Sequence, residues 1–377
     1  KRQIMHIDAD NKRFQDFIEE TEKKLDMEIT VEKCPSNADN RQAKISTILA
    51  SGDKNIDLIS VNDEMISEFK HKGYLEPLEK NVMTEEVRDS FPQKYLESIC
   101  EENGHIYSVP FQMDIMMFWV NQELLKQAGL DEIKNTGDFD ILQKSLKNPD
   151  QYAYGDAWEN THVYNSLSQF VNFWGGDYFD WTDPKTKDAA RYMKSMLDEK
   201  NTSPAQFVDQ YEQMEEKFIR GKYGCVFMYT SALGTFLDAD VYGKNKIHMA
   251  PLPVLHKKKA TNIATWQYVL NNASENKDAA VRFLQYAAGY EGSTEYAKIM
   301  KSYPARVDVI ENEDIDLEGI DMIRKYLREY TLNARPLCEN SMGAVSDMGK
   351  LFQGYVLGQC EEDSFFEQAQ NCINTYY

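Results

Sequence analysis

The stretch GHIYSVPFQMDIMMFWVNQELLKQAGL, Gly104 to Leu130, organises the reading of the whole chain. Asn103 and Gly104 read as a turn, and Pro110 fixes φ and removes a backbone donor. Gln112 and Asp114 follow as polar residues, and then comes the longest uninterrupted apolar run in the protein, Ile115 to Val120. An apolar run of that length reads as a strand buried on both faces. Asn121 can cap a helix that carries Leu124, Leu125 and Ala128 on one side and stops at Gly129. On these residues alone the stretch is a loop feeding a core strand, with a polar pair where the chain enters a buried sheet.

Working outward, the preceding segment repeats one theme, a strand followed by an amphipathic helix. Ile4 to Ile7 is a short strand, Asp8 to Asn11 a polar turn, and Phe14, Phe17, Ile18 and Leu25 mark a helix face. Met27, Ile29 and Val31 alternate as a strand; Ile45, Ile48 and Leu49 lie on a helix ending at Gly52; Ile56 to Val61 is a buried strand. Asn62 and Asp63 follow it and open a helix carrying Met65, Ile66 and Phe69. Alternating strands and helices imply a mainly parallel sheet covered on both faces. Ligands of such sheets lie beyond the carboxyl ends of the strands, where Asp10, Asn62, Asp63, Gln112 and Asp114 would gather.

The middle of the chain, about 131 to 220, reads as mostly helical and rich in rings. Trp158, Tyr164, Phe170, Phe173, Trp174, Tyr178, Phe179 and Trp181 stand close together, and Gly175 and Gly176 break the chain among them, so some rings should border a loop. Strand structure returns at Cys225 to Met228, followed by Tyr229, Thr230 and Ser231 opening a helix. Glu311 to Glu318 is an acidic stretch that reads as a linker, and the chain closes on a helix with Phe365, Phe366, Ala369, Cys372 and Ile373 on one side.

A chain of 377 residues with 42% hydrophobic residues is too long for one ordinary core and suggests two domains or one large α/β unit. No apolar segment approaches the roughly 20 residues that span a bilayer. The 62 acidic against 42 basic side chains give a net charge of -20, which opposes association with nucleic acid or anionic membrane surfaces. The six cysteines show neither CxxC nor zinc-ribbon spacing. Cys360 and Cys372, on one helix, would stand about 15 to 18 Å apart, too far to bond.

Catalytic and metal signatures are missing. The six histidines are scattered with no HExxH, and the chain has no GxGxxG after a strand, no GxxxxGK[ST] and no GxSxG. The reading therefore assigns no catalytic residue, no metal and no cofactor. It leaves polar residues at strand ends beside many rings. Sugars combine hydroxyls that donate and accept with apolar C–H faces that stack on rings, so this supply of Asp, Asn, Gln, Arg, Trp and Tyr suits a carbohydrate.

The order of segments resembles the family 1 extracellular solute-binding proteins of ABC transporters, the group that includes maltose-binding protein. GHIYSVPFQMDIMMFWVNQELLKQAGL is similar to the family's Tyr-Gly-x-Pro, strand, Asn and helix ending in Ala-Gly-Leu, with SVP where Gly-x-Pro is usual. KHKGYLEPLE, FIRGKYGCVFMYTSALGTF and SENKDAAVRFLQYAAGYEGSTEYAKIMKSYPAR resemble further segments in the family's order.

The resemblance implies a type II two-lobed α/β binding-protein fold, with a ligand cleft between lobes joined by hinge crossovers. It implies lobes of 1–111 plus 265–314 and 112–264 plus 315–377. It implies capture of a carbohydrate by hinge closure, delivery to ABC permease subunits, a monomer, and a lipid-anchored or periplasmic location. The ligand residues it implies are Asp10, Asn62, Asp63, Gln112, Asp114, Trp158, Asn160, Trp174, Tyr229, Thr230, Trp266, Gln267 and Arg306. Two other readings stay open: a secreted glycoside hydrolase using two carboxylates, and a binding protein whose Asp10, Asp63 and Asp114 face a cationic ligand.

Overall fold

The computed structural model describes residues 2–377. The chain divides into two compact units. The first holds the chain up to Met113, then Ala264–Ile320 and Leu337–Ser341; the second holds Asp114–Ile263, Asp321–Pro336 and Met342–Tyr377. Strands in chain order are β1 (Arg2–His6), β2 (Ile29–Lys33), β3 (Leu58–Asn62), β4 (Glu101–Glu102), β5 (His105–Ile106), β6 (Val109–Asn121), β7 (Tyr152–Gly155), β8 (Tyr223–Tyr229), β9 (Ile247–Ala250), β10 (Ala260–Leu270) and β11 (Thr331–Ala334).

In the first unit β1 lies between β2 and β3, parallel to both, and the last residues of β10 run antiparallel to β3 with Trp266 opposite Asn62. The helices between these strands start and stop where the sequence marks them. Asn11 caps the helix Lys12–Leu25 through its side-chain oxygen, which accepts from the Arg13 and Phe14 amides. Gly52 ends the helix Ala38–Ser51 at φ 66, in the left-handed region that glycine occupies without strain. Phe14, Phe17, Ile45, Ile59, Ile66 and Phe69 are buried, so the helices cover the sheet with the faces their periodicity names.

In the second unit the part of β6 beyond Asp114 pairs antiparallel with β8 and β9, β7 runs parallel to β8, and the start of β10 runs parallel to β11. The helix Val163–Trp174 is buried along almost its whole length and ends at Gly175, φ 73. The closing helix, Glu362–Tyr376, buries Phe365, Phe366, Ala369, Cys372 and Ile373. All six cysteines are free thiols.

Three sequence expectations are corrected. Gln112 and Asp114 do not lie on a loop, because β6 begins at Val109 and runs unbroken through both. Pro110 is its second residue, where a missing donor disturbs only the beginning of a ladder. The acidic stretch Glu311 to Glu318 is no free linker, since Ile315 and Leu317 are buried and anchor it in the first unit. Leu337–Ser341, placed by the sequence with the second unit, belongs with the first.

Candidate functional site

Seven candidate residues lie in the first unit, and three of them, Asp10, Asn62 and Asp63, stand at or soon after strand ends. β1 and β3 are parallel, so the turn holding Asp10 and the pair Asn62–Asp63 leave the sheet at the same edge. Asp10 is exposed and bonded to Lys33 Nζ at 2.9 Å, and that bond holds its carboxyl below the usual range. Asn62 opens the helix Asp63–His71 without capping it; its Oδ1 is buried and meets no hydrogen-bond donor. Asp63 is fully buried, and its carboxylate accepts from the Tyr95 hydroxyl at 2.9 Å, whose oxygen lies 2.8 Å from Thr265 Oγ1.

On β10 the two candidates point to opposite faces, as strand alternation requires. Trp266 is half-buried, with the Arg41 guanidinium 5.2 Å from its ring centroid. Gln267 is fully buried: its Oε1 accepts from Ser108 Oγ and from Cys100 Sγ, and its Nε2 donates to Thr265 Oγ1 at 2.8 Å. Gln112 accepts from the Tyr296 hydroxyl at 2.8 Å. Arg306 grips Asp308 through Nε (2.9 Å) and Nη2 (2.8 Å), and it also donates to the Ala288 carbonyl and Ser90 Oγ. It therefore ties down its own turn.

Below this edge His6 is wholly buried and stacked on Phe14 at 3.8 Å, with Nδ1 accepting from the Asp8 amide. Burial, aided by Lys33, pushes its pKa down to about 3, so the ring is neutral at physiological pH.

The other six candidates lie in the second unit. Thr230 continues the β8 ladder; its hydroxyl donates to Asp114 Oδ1 at 3.1 Å and accepts from the Ile115 amide. Tyr229 donates to Asn165 Oδ1 at 2.8 Å. Trp158 is fully buried, edge-on to Phe207 and Phe352, and it serves the core in this structure. Trp174 is also buried, stacked on His256 with the planes 2° apart. Asn160 Oδ1 is buried without a donor. Its loop is held at backbone contact with the helix Ser341–Val356, where a Cβ on Gly349 would stand 2.0 Å from the Asn160 carbonyl oxygen.

Sequence reading missed Arg41, Asn165 and Arg335, and it named Tyr164 only as one of the clustered rings. Arg335 is buried, donates to the Tyr164 hydroxyl at 2.8 Å and to Asn165 Oδ1 at 3.3 Å, and lies 5.7 Å from the ring centroids of both Tyr164 and Tyr229. Asn165 in turn donates to the His162 carbonyl. Nothing local marked these residues: Asn165 stands one turn into an apolar helix, and Arg335 follows an unremarkable short strand. Among the described residues no group of three or more His, Cys, Asp or Glu is placed to hold a metal ion, and no helix is long and apolar enough to cross a membrane.

Two α/β units exchange the chain at strand crossings, and several of the polar candidates stand at or soon after strand ends. The chain belongs to the bacterial extracellular solute-binding protein family, whose model matches residues 8–294. Its fold is shared with an ABC transporter solute-binding protein from Thermotoga lettingae bound with alpha-D-tagatose, at TM-score 0.82 and 18% identity over 99% of this chain and 98% of that one. It is shared also with the GacH receptor of Streptomyces glaucescens, solved with acarbose, at TM-score 0.81 and 18% identity over 100% and 99%. In sequence, the chain is 24% identical over 239 residues to a probable amino-acid ABC transporter periplasmic-binding protein of Sinorhizobium fredii, covering 60% of this chain and 54% of that protein. A putative binding protein of Brucella abortus is 24% identical over 193 residues, 48% of this chain and 46% of that one. The matched stretch thus spans about half the length of these curated relatives.

Proposed function

We propose that this chain is the substrate-binding subunit of an ABC importer and captures a carbohydrate, an oligosaccharide in particular, for delivery to permease subunits. The observation that carries the reading is the family match joined to an end-to-end fold likeness with solute-binding proteins solved with tagatose and acarbose. The site chemistry supports it. Asn62 and Asn160 each hold a buried oxygen with no donor, the groups a sugar hydroxyl can satisfy, and Trp266 offers a half-buried ring to a sugar's C–H face. Hinge closure on the ligand, a monomeric state, the absence of catalysis, and a place at the outer membrane face or in the periplasm belong to the same reading.

The ligands in question were read from proteins under 25% identical, and the Sinorhizobium relative is described for amino acids. Titration calorimetry should therefore offer neutral oligosaccharides and amino acids side by side. Saturable binding of an oligosaccharide that is recovered unchanged is the expected result. Binding of amino acids, peptides or polyamines with no sugar bound would overturn the carbohydrate assignment, and hydrolysis of the oligosaccharide would favour the glycosidase reading instead.

A further inference from the structure

Lys33 carries no motif, yet it reaches the first candidate ligand residue. β1 and β2 are parallel neighbours with His6 opposite Lys33, so the last side chain of β2 stands beside the turn by which the chain leaves β1. Its ammonium donates to the Ile7 carbonyl and, at 2.9 Å, to Asp10 Oδ1, across 26 and 23 positions of chain. The Ile7 amide donates to Ser60 Oγ at 3.1 Å and the Asp8 amide to His6 Nδ1 at 3.0 Å. Those two bonds fix the base of the turn, and Lys33 holds the carboxylate at its outer end.

An exposed lysine–aspartate pair adds little to stability, because water solvates both ends when they part. Side-chain exposures of 39% for Lys33 and 74% for Asp10 place this pair in that class. Its effect falls on the turn instead. Burial raises the Asp8 carboxyl, Lys33 lowers it and the Asp10 charge raises it, so the three groups act on one another. His6 is buried and neutral at physiological pH and cannot take over the cation's part. Without the ammonium, two carboxylates two positions apart repel and the turn opens. A binding loop already held in its bound shape need not be ordered when the ligand arrives, and affinity gains accordingly.

Resting on the reading of Asp10 as a contact for a carbohydrate, we infer that Lys33 is a positioning residue: it works through Asp10, holding that carboxylate where a sugar hydroxyl meets it, and adds little to the fold itself.

The turn reports on this without any ligand. The amides of Asp8, Ala9 and Asn11 each donate to an acceptor in or beside the turn, so their hydrogen exchange follows its opening. In the full chain, Lys33→Met should speed exchange of the peptide that covers them by about fivefold or more, leave exchange elsewhere unchanged and shift the melting temperature by no more than about 2 °C. Unchanged exchange at the turn overturns the inference, and so does faster exchange throughout the protein with a lowered melting temperature.

Calorimetry supplies the second arm, with a panel of neutral oligosaccharides that includes maltotriose and cellotriose, on the unaltered chain, Lys33→Met, Asp10→Ala and the double variant. Lys33→Met should weaken whichever sugar binds by about fivefold, and in the Asp10→Ala background the same change should cost less than about twofold, because the residue it acts through has gone. Full affinity in either single variant, or an undiminished loss in the Asp10→Ala background, overturns the inference. No binding by any sugar of the panel would sink the carbohydrate reading, while the exchange arm would still decide whether Lys33 holds the turn.

Discussion

The candidate residues of the two units are built on opposite plans. In the first unit they come as neighbouring pairs with different fates: Asn62 keeps a buried oxygen without a donor while Asp63 is locked onto Tyr95, and Trp266 is half-buried while Gln267 is sealed in a polar knot. In the second unit Tyr229, Asn165, Tyr164 and Arg335 are wired to one another, and Trp158 has gone into the core. The contrast lies in the proposed recognition groups: Trp266 and Asn62 are separable from their scaffold, whereas Tyr229 and Trp158 are part of theirs, and Asn160 in the second unit resembles Asn62 in keeping a buried oxygen without a donor. Substitutions should therefore divide binding from stability in one unit and join them in the other.

Trp158→Ala should give the largest effect, a loss of about 4 kcal/mol, because it empties a ring site within the core. Trp266→Ala should cost less than about 1 kcal/mol and weaken ligand binding instead. Urea denaturation of both variants checks the pair, and equal losses would erase the contrast between the units. Asn165→Ala comes next at about 2 kcal/mol, since it removes one acceptor shared by the Tyr229 hydroxyl and Arg335; binding and melting temperature should fall together.

Acid and base should then separate the units. His6 titrates near 3 in the folded state and at its ordinary 6.5 when unfolded, so below 6.5 the unfolded chain takes up the proton first. Stability present above pH 6.5 is lost as pH falls, by about 3 kcal/mol at pH 4.5, and His6→Gln should flatten that slope. Asp8, raised by burial, works weakly the other way. In the second unit Glu215 is raised to about 7 by burial and by Glu212. Its contribution is present below pH 4.5 and lost as pH climbs through 7, so Glu215→Gln should raise the melting temperature at pH 8 and not at pH 4. Smallest of all is Asn62→Ala, within about 0.5 kcal/mol of neutral in stability because its Oδ1 accepts no bond, yet measurably weaker in ligand binding by calorimetry.

The architecture was largely legible because it rests on local signals. Asn11 and Asn121 cap as their types dictate, Gly52 and Gly175 stop helices at positive φ, and the Ile115 to Val120 run could be nothing but buried. The extension of β6 back to Val109 was not legible, because Pro110, Gln112 and Asp114 look locally like a loop and only pairing makes them strand. The site was harder still. Sequence names residue types at strand ends but not which way they face, so Asn62 and Asp63 looked alike although one is satisfied and the other is not. Arg41 and Arg335 reach their rings across 225 and 106 positions of chain, distances over which no spacing rule operates.

The five points where the chain passes between units also set the order in which the protein can come into being. The first unit takes in Leu337–Ser341 and the second Met342–Tyr377, so neither can be complete before residue 341 has been made. A growing chain of this design has no finished domain to shed along the way.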